Sequence, residues 1–189
     1  EIKSFVEVGD SIYASYQDGL EGGLLLYRKG ATEIEYLDIF NNFPNQNDLN
    51  LTSIHEVLFL DDKLIFRTEN DILWINHAGN NLKDPSNWHV SSIPEGEGSI
   101  SGMYSNGYTI RVAIDNGIYE YNFADFIPIT FFDKDIVDIV ASSSDIDEVL
   151  VVINSGIYTH QIVTGERSKL VTLWGIESIE VQGDEIWVS

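Results

Sequence analysis

The sequence contains no cysteine, a single methionine and four prolines, and it has only 10 basic residues against 31 acidic ones. Without cysteine, neither a disulfide framework nor a thiolate zinc site can hold the fold. No apolar run approaches the roughly 18–20 residues of a membrane-spanning helix, so we expect no membrane insertion. The N-terminus, Glu1-Ile2-Lys3-Ser4, has neither the basic region nor the apolar stretch of a signal peptide.

The scarcity of basic residues leaves a formal net charge of -21 at pH 7. Binding to a phosphate backbone needs clustered lysine and arginine, and the sequence shows no such cluster. It therefore argues against direct contact with nucleic acid and against adhesion to an anionic membrane. Acidity of this kind is typical of a solubilising surface. A cationic partner, bound calcium or a salty environment are the other interpretations.

One pattern recurs along the chain. Three segments align without gaps: residues 64–75, 110–121 and 149–160. Each is a β-branched or aromatic run, a short polar pair and a second such run, which is the pattern of a β-hairpin. The predicted turn pairs are Asn70-Asp71, Asn116-Gly117 and Ser155-Gly156.

Each hairpin is preceded by a further predicted strand. An isoleucine lies ten residues before the start of four hairpins, and Ile136 lies thirteen before Val149 because of three extra residues. An apolar residue follows each isoleucine three positions later. These apolar residues are Phe5, Val57, Met103, Ile139 and Ile179. Polar, turn-rich stretches separate the repeats, and no segment shows a helical period.

The repeats predict an all-β chain of four-stranded antiparallel meanders, about four and a half in number, that form a β-propeller segment. We assign residues 1–189 to a single propeller segment that is part of a longer polypeptide. Its repeats cover approximately residues 1–50, 51–98, 99–135, 136–175 and 176–189, the last being incomplete. Stacked meanders bury both faces of each sheet, which explains strands that are apolar throughout. A jelly roll or sandwich is the structural alternative.

The hairpins resemble known propeller blades. Gly117-Ile118-Tyr119 and Gly156-Ile157-Tyr158 are similar to blades of the two-component-regulator type of periplasmic propeller, and to propellers in tail or nozzle proteins of short-tailed phages. Residues 63–75, which end in an aromatic-bearing strand, resemble the same blades. The regulator blades usually carry tryptophan, a small residue and threonine in the second strand, and only Trp187-Val188-Ser189 approaches this. The resemblance implies a β-propeller that recognises proteins or ligands.

No motif in the sequence names a reaction. The four histidines lie too far apart for a zinc pair, and neither a nucleophile elbow nor a phosphate-binding loop is present. We expect no cofactor and no bound metal. Calcium is the one candidate, because Asp145, Asp147 and Glu148 would supply oxygen ligands in a loop that only this repeat extends. Other acidic groups are Asp133 with Asp135, and residues 45–48.

Three acids fall on or near first strands, which line the central channel of a propeller: Glu7, Glu56 and Asp138. Paired carboxylates are the groups that hydrolyse glycosides. Aromatic side chains that could stack on sugars are Trp88, Trp174 and Tyr108. A glycoside hydrolase fragment is therefore one interpretation, although we expect no enzyme and no catalytic residue.

The leading hypothesis is a non-catalytic structural or protein-interaction module within a larger assembly, with a phage virion as the first setting considered. The alternative is an extracellular or periplasmic propeller domain that senses a ligand or glycan. The expected partners are other protein subunits or further blades of the same polypeptide, and the favoured locations are the virion and the extracellular or periplasmic space.

Overall fold

The computed structural model describes residues 1–19, 21–44, 54–94, 98–142, 147–183 and 185–189. Over these residues the chain consists of eighteen β-strands and one short 3₁₀ turn, Pro85–Asn87, with no α-helix. In the same part of the chain, no helix is long and apolar enough to cross a membrane. The strands form four four-stranded sheets and one two-stranded sheet, and all pairs are antiparallel. The predicted all-β series of about four and a half meanders is confirmed.

The chain divides into two compact units, Glu1–Ser92 and Ile93–Ser189. The first unit contains sheets 1 and 2, each with its strands side by side in chain order. The strands of sheet 1 are β1 (Ile2–Val8), β2 (Ser11–Asp18), β3 (Glu21–Lys29) and β4 (Ile34–Phe40). Those of sheet 2 are β5 (Val57–Leu60), β6 (Lys63–Arg67), β7 (Asp71–Asn76) and β8 (His89–Ser92).

The second unit contains sheets 3, 4 and 5, again as meanders. Sheet 3 has β9 (Ile100–Ser105), β10 (Ile110–Ile114), β11 (Gly117–Tyr121) and β12 (Phe126–Phe131). Sheet 4 has β13 (Ile136–Ala141), β14 (Glu148–Ile153), β15 (Gly156–Gln161) and β16 (Arg167–Val171). Sheet 5 has β17 (Ile179–Gln182) and β18 (Glu185–Val188).

Stacking of the sheets explains why so many strand positions are apolar on both sides. All five residues of β10 are buried, because neighbouring residues of a strand point to opposite faces and both faces are covered. In the first unit, Tyr13 and Leu24 of sheet 1 share a core with Leu64 and Phe66 of sheet 2. In the second unit, one core joins sheets 3 and 4 and a smaller one joins sheets 4 and 5.

The hairpin turns differ from the prediction by one residue. The strand pairing places the turn residues one position earlier in each hairpin, at Glu69-Asn70, Asp115-Asn116 and Asn154-Ser155. At the second turn, Asp115 has a positive φ of 49°. Its carboxylate accepts hydrogen bonds from the backbone of Gly98 and Ser99, at 2.7 and 3.1 Å. An aspartate at the turn can therefore supply both the left-handed backbone and a tie to the preceding loop.

The glycines that suggested these turns have a different role, which is to begin the third strand of sheets 3 and 4. A Cβ added at Gly117 would lie 2.7 Å from the Tyr119 ring and 2.9 Å from Phe131. At Gly156, where φ is +140°, a Cβ would lie 2.0 Å from the carbonyl oxygen of Val171. Glycine is required at both positions because the fourth strand or a side chain occupies the space of a Cβ.

Candidate interaction surfaces

In each unit, one pair of first strands is joined by a side chain at a repeated position, two residues after the isoleucine that opens the repeat. We call this the clasp position. It is occupied by Ser4, Glu56, Gly102, Asp138 and Ser178. In the first unit, the Ser4 hydroxyl accepts a hydrogen bond from the backbone N–H of Val57, at 3.3 Å. In the second unit, Asp138 Oδ2 accepts one from Ile179 N, at 2.9 Å.

Asp138 also accepts from its neighbour Ile139 N, through Oδ1 at 2.8 Å, and its side chain is buried. Space for this carboxylate comes from Gly102, since a Cβ there would lie 2.7 Å from both Asp138 Oδ1 and Ile139 N. A buried carboxylate with two amide donors is well satisfied. Asp138 therefore joins sheet 4 to sheet 5.

Glu56, at the clasp position of sheet 2, forms an ion pair with Arg67 instead. Both guanidinium nitrogens Nε and Nη2 donate to the carboxylate, the latter at 2.9 Å. The Arg67 side chain is only 6% exposed, so the pair is largely desolvated. Glu7, in β1, pairs with Lys29 at 2.8 Å on the surface. Each acid considered for glycoside hydrolysis thus has a structural partner: Glu7 and Glu56 in the first unit and Asp138 in the second.

The calcium prediction falls on a loop that the structure covers only in part. Asp145 lies outside the described residues. The backbone oxygen of Asp147 accepts from Ile162 N at 2.8 Å, and Glu148 accepts from the Ser142 hydroxyl at 2.7 Å. Among the described residues, no group of three or more acidic or histidine side chains could hold a metal ion. The residues 45–48 are likewise outside the described part.

The aromatic residues considered for sugar stacking separate into two kinds. Trp88 is buried in the core of the first unit, and its indole Nε1 donates to Leu82 O at 2.9 Å. It is therefore unavailable to a sugar, because the 3₁₀ turn before it folds the ring inward. Tyr108 and Trp174 are 77% and 74% exposed.

Sequence reasoning missed two buried polar side chains of the second unit. Burial raises the pKa of Tyr104 to about 12. Burial, followed by the positive charge of Arg167, lowers the pKa of His160. Neither the Tyr104 hydroxyl nor the two ring nitrogens of His160 have a hydrogen-bond partner within the described residues. No sequence signal marks them, since an isolated histidine in a strand pattern does not reveal which face it occupies.

Sheet 1 carries an apolar row on the face turned away from sheet 2. Four residues lie directly opposite one another across its strands: Phe5, Ala14, Leu25 and Ile39. Phe5 is 64% exposed and Ile39 36%, whereas Ala14 between them is buried. Tyr27 and Tyr36 pack edge to face beside the row, with ring centroids 5.7 Å apart. Large apolar groups in contiguous exposed positions mark a contact surface.

Sheet 5 has a similar outward face. Ile179 and Val181 point toward the core shared with sheet 4. Glu180, between them, pairs with Trp187 of β18, so Trp187 lies on the opposite face and is 56% exposed. The first unit and the second unit thus each present an uncovered sheet face that carries an aromatic side chain.

No protein-family model and no curated protein matches the chain. Solved structures do resemble it. The extracellular domain of the proposed hybrid two-component system BT4673 from B. thetaiotaomicron matches 100% of this chain at 14% identity and a TM-score of 0.65. The WD40 domain of Neurospora crassa Pan2 matches at 8% identity and 0.68, and a chain of the nidogen/laminin complex at 10% and 0.70.

These likenesses confirm the predicted β-propeller fold. At such low identities they show the fold alone. This chain spans 26% of the BT4673 chain, 59% of the Pan2 chain and 71% of the chain from the nidogen/laminin complex.

Proposed function

We propose that this chain is a non-catalytic protein-interaction module of the β-propeller fold, which packs its uncovered sheet faces against further β-meander blades. Those blades belong to the same polypeptide or to another subunit. The observation that carries the proposal is the exposed apolar row of sheet 1, which begins at Phe5 and ends at Ile39.

The two faces of sheet 1 support this reading. One face is packed on sheet 2 through Tyr13, Leu24 and Phe40. The other face is nearly as apolar, but no other sheet of the first unit covers it. Exposed apolar surface is unfavourable by about 25 cal/mol per Å². The occupant that fits is another sheet with an apolar face, because sheets 3 and 4 pack on each other in this way.

Two of the acids considered for glycoside hydrolysis are bound by other groups of the chain, which supports a non-catalytic role. Glu56 is neutralised by Arg67, and Asp138 accepts two backbone hydrogen bonds. A general acid or a nucleophile has to be accessible to substrate and able to exchange its proton. Both carboxylates are instead engaged in holding strands together.

A ligand- or glycan-sensing domain is the second candidate. It is favoured by the structural likeness to the extracellular domain of BT4673. The exposed rings of Tyr108 and Trp174 would suit sugar stacking. A virion setting rests on the residue-level resemblance of the hairpins and remains a prediction.

Sedimentation velocity tests the role of the apolar row. We expect the chain of residues 1–189 to self-associate through it, and Phe5→Asp to shift the chain toward monomer, because a carboxylate in the row cannot be desolvated cheaply. Val163→Asp is the matched control, since Val163 is 75% exposed but lies in a loop outside the row. Equal association of the wild type and Phe5→Asp, or turnover of any substrate in a glycan panel, would overturn the proposal.

A further inference from the structure

The basic residues of the second unit are few and most of them lie together. They are Arg111, Lys134, Arg167 and Lys169. Arg111 is paired with Glu120 of the neighbouring strand. The other three form no ion pair with any carboxylate of the described residues, although the unit is strongly acidic. Arg167 of β16 bonds to β12, so these residues lie near the line where the outer strands of sheets 3 and 4 meet, which we call the groove.

The groove is centred on the hydroxyl of Tyr158. Tyr158 lies on β15 directly opposite Lys169 of β16, whose Nζ is 5.4 Å from the centre of the tyrosine ring. The Ser155 hydroxyl lies 3.4 Å from the Tyr158 hydroxyl. Lys134 lies in the loop after β12, and its charge also acts on the Tyr158 phenol. Lys169 and two hydroxyl groups therefore lie together, and the charge of a second lysine adds to theirs.

The charged groups that act on Tyr158 are cations, although the chain as a whole has a net charge of -21. The hydrogen bond from Ser155, and then the hydrogen bond and charge of Lys169 and the charge of Lys134, lower the pKa of Tyr158. No carboxylate of the described residues contributes to this shift. Tyr16 in the first unit shows the opposite: burial, and then the charge of Glu21, raise its pKa.

Arg167 forms one wall of the groove and is held in place. Its Nη2 donates to Thr130 Oγ1 at 2.8 Å and to Phe131 O at 2.7 Å. Its guanidinium also lies 3.9 Å from the centre of the Phe132 ring. These contacts connect β16 to β12 and fix a positive charge at the groove without neutralising it.

We propose that this groove binds a compact oxyanion, namely the phosphate, sulfate or carboxylate group of a ligand, through Lys134, Lys169 and the hydroxyl of Tyr158. The lysines would supply charge and the hydroxyls would donate hydrogen bonds to the oxygens. Acidic residues adjacent in sequence to these cations, namely Asp133, Asp135 and Glu166, would repel an extended polyanion and favour a small group. The site goes beyond the proposed function, because it does not depend on how the sheet faces are covered.

Titration of the chain with inorganic phosphate tests the site, with the lysine Cε–H and tyrosine ring signals followed by NMR at constant ionic strength. We expect a saturable change at Lys134, Lys169 and Tyr158 in the millimolar range. Lys169→Gln should weaken binding about tenfold, since one charge-assisted contact is lost. Lys169→Arg, which keeps the cation, should restore most of it.

Lys63→Gln is the matched control, because Lys63 also lies over an aromatic ring, 5.9 Å from the centre of Trp74, but in the first unit. It should leave phosphate binding unchanged. Sulfate and acetate in parallel titrations distinguish a tetrahedral anion from a carboxylate. A linear response, an equal response to chloride, or equal binding by Lys169→Gln and Lys63→Gln would overturn the proposal and leave the blade-packing function untouched.

Discussion

The two units of the chain use their few cations differently. In the first unit, five of the six basic residues form ion pairs: Lys3, Arg28, Lys29, Arg67 and Lys83. In the second unit, within the described residues, only Arg111 of the four does so. Each unit buries one arginine beside a glutamate. The difference lies in the exposed cations: most of those in the first unit pair with carboxylates, whereas Arg167 and Lys169 in the second contact neutral polar and aromatic groups.

The same contrast appears at the clasp position. Glu56 in the first unit is balanced by a cation, whereas Asp138 in the second is balanced by two amides. The carboxylate of the first unit therefore bonds within its own sheet, whereas that of the second unit joins the first strands of two sheets. Substitutions of these carboxylates and of the surrounding charged residues test how far this comparison holds.

The largest effect is expected for Glu56→Ala, which should lower the free energy of unfolding by about 3 kcal/mol because it leaves the buried Arg67 charge uncompensated. Urea denaturation measures this. Glu35→Ala is the control: its partner Arg28 is exposed and 3.9 Å away, so the loss should stay below about 0.5 kcal/mol. Equal losses in the two variants would contradict a buried pair at Arg67.

Asp138→Ala should cost about 2 kcal/mol, because the amides of Ile139 and Ile179 lose their acceptor. Hydrogen exchange should increase at Ile179 in particular. Ser4→Ala, which removes the neutral counterpart in the first unit, should cost about 1 kcal/mol. An unchanged exchange rate at Ile179 would show that the clasp of the second unit is dispensable.

His160 makes the second unit sensitive to acid. Its pKa in the folded chain lies below the ordinary value of 6.5, so the unfolded chain takes up the proton first as the pH falls. The contribution of His160 to stability should therefore be unaffected well above pH 6.5 and should decline as the pH falls below it. His160→Gln should abolish this part of the loss of stability at low pH. His89→Gln, which replaces the ring stacked on Trp74, should leave it unchanged. Identical pH profiles for the wild type and His160→Gln would exclude the effect.

The smallest effects are expected for the exposed cations. Lys83→Gln, which breaks the pair with Asp38, and Lys169→Gln should each change stability by less than about 0.5 kcal/mol. Thermal unfolding at low and high salt measures both. A large loss in Lys169→Gln would mean that this lysine holds the fold and would weaken the contrast between the units.

Much of the fold could be predicted from the sequence, because a hairpin is a local pattern. The aligned segments at 64–75, 110–121 and 149–160 became the central strands of sheets 2, 3 and 4. The turn positions were wrong by one residue. The reason is that the tie from Asp115 to Gly98 and Ser99 is a contact between segments, which a turn dipeptide does not reveal.

The functional surfaces were less accessible to prediction. Glu56 and Asp138 were correctly expected on or near first strands, but their partners depend on three-dimensional neighbours: Ile179 lies 41 residues after Asp138. The groove around Tyr158 gave no sequence signal, since Lys134, Arg167 and Lys169 are scattered among acidic residues. Only the pairing of β15 with β16, and the packing of sheet 4 on sheet 3, bring their charges together.

Gly156 has a consequence for how such chains can change. With no room for even a methyl group against the Val171 carbonyl, a side chain at Gly156 would displace the outermost strand of sheet 4, although sheet 2 keeps its fourth strand with Asp71 at the equivalent position. The outermost strand carries Lys169, so a substitution of Gly156 would also move this lysine away from the groove. The need for glycine at the start of the third strand therefore belongs to sheets 3 and 4 and not to the repeat as such.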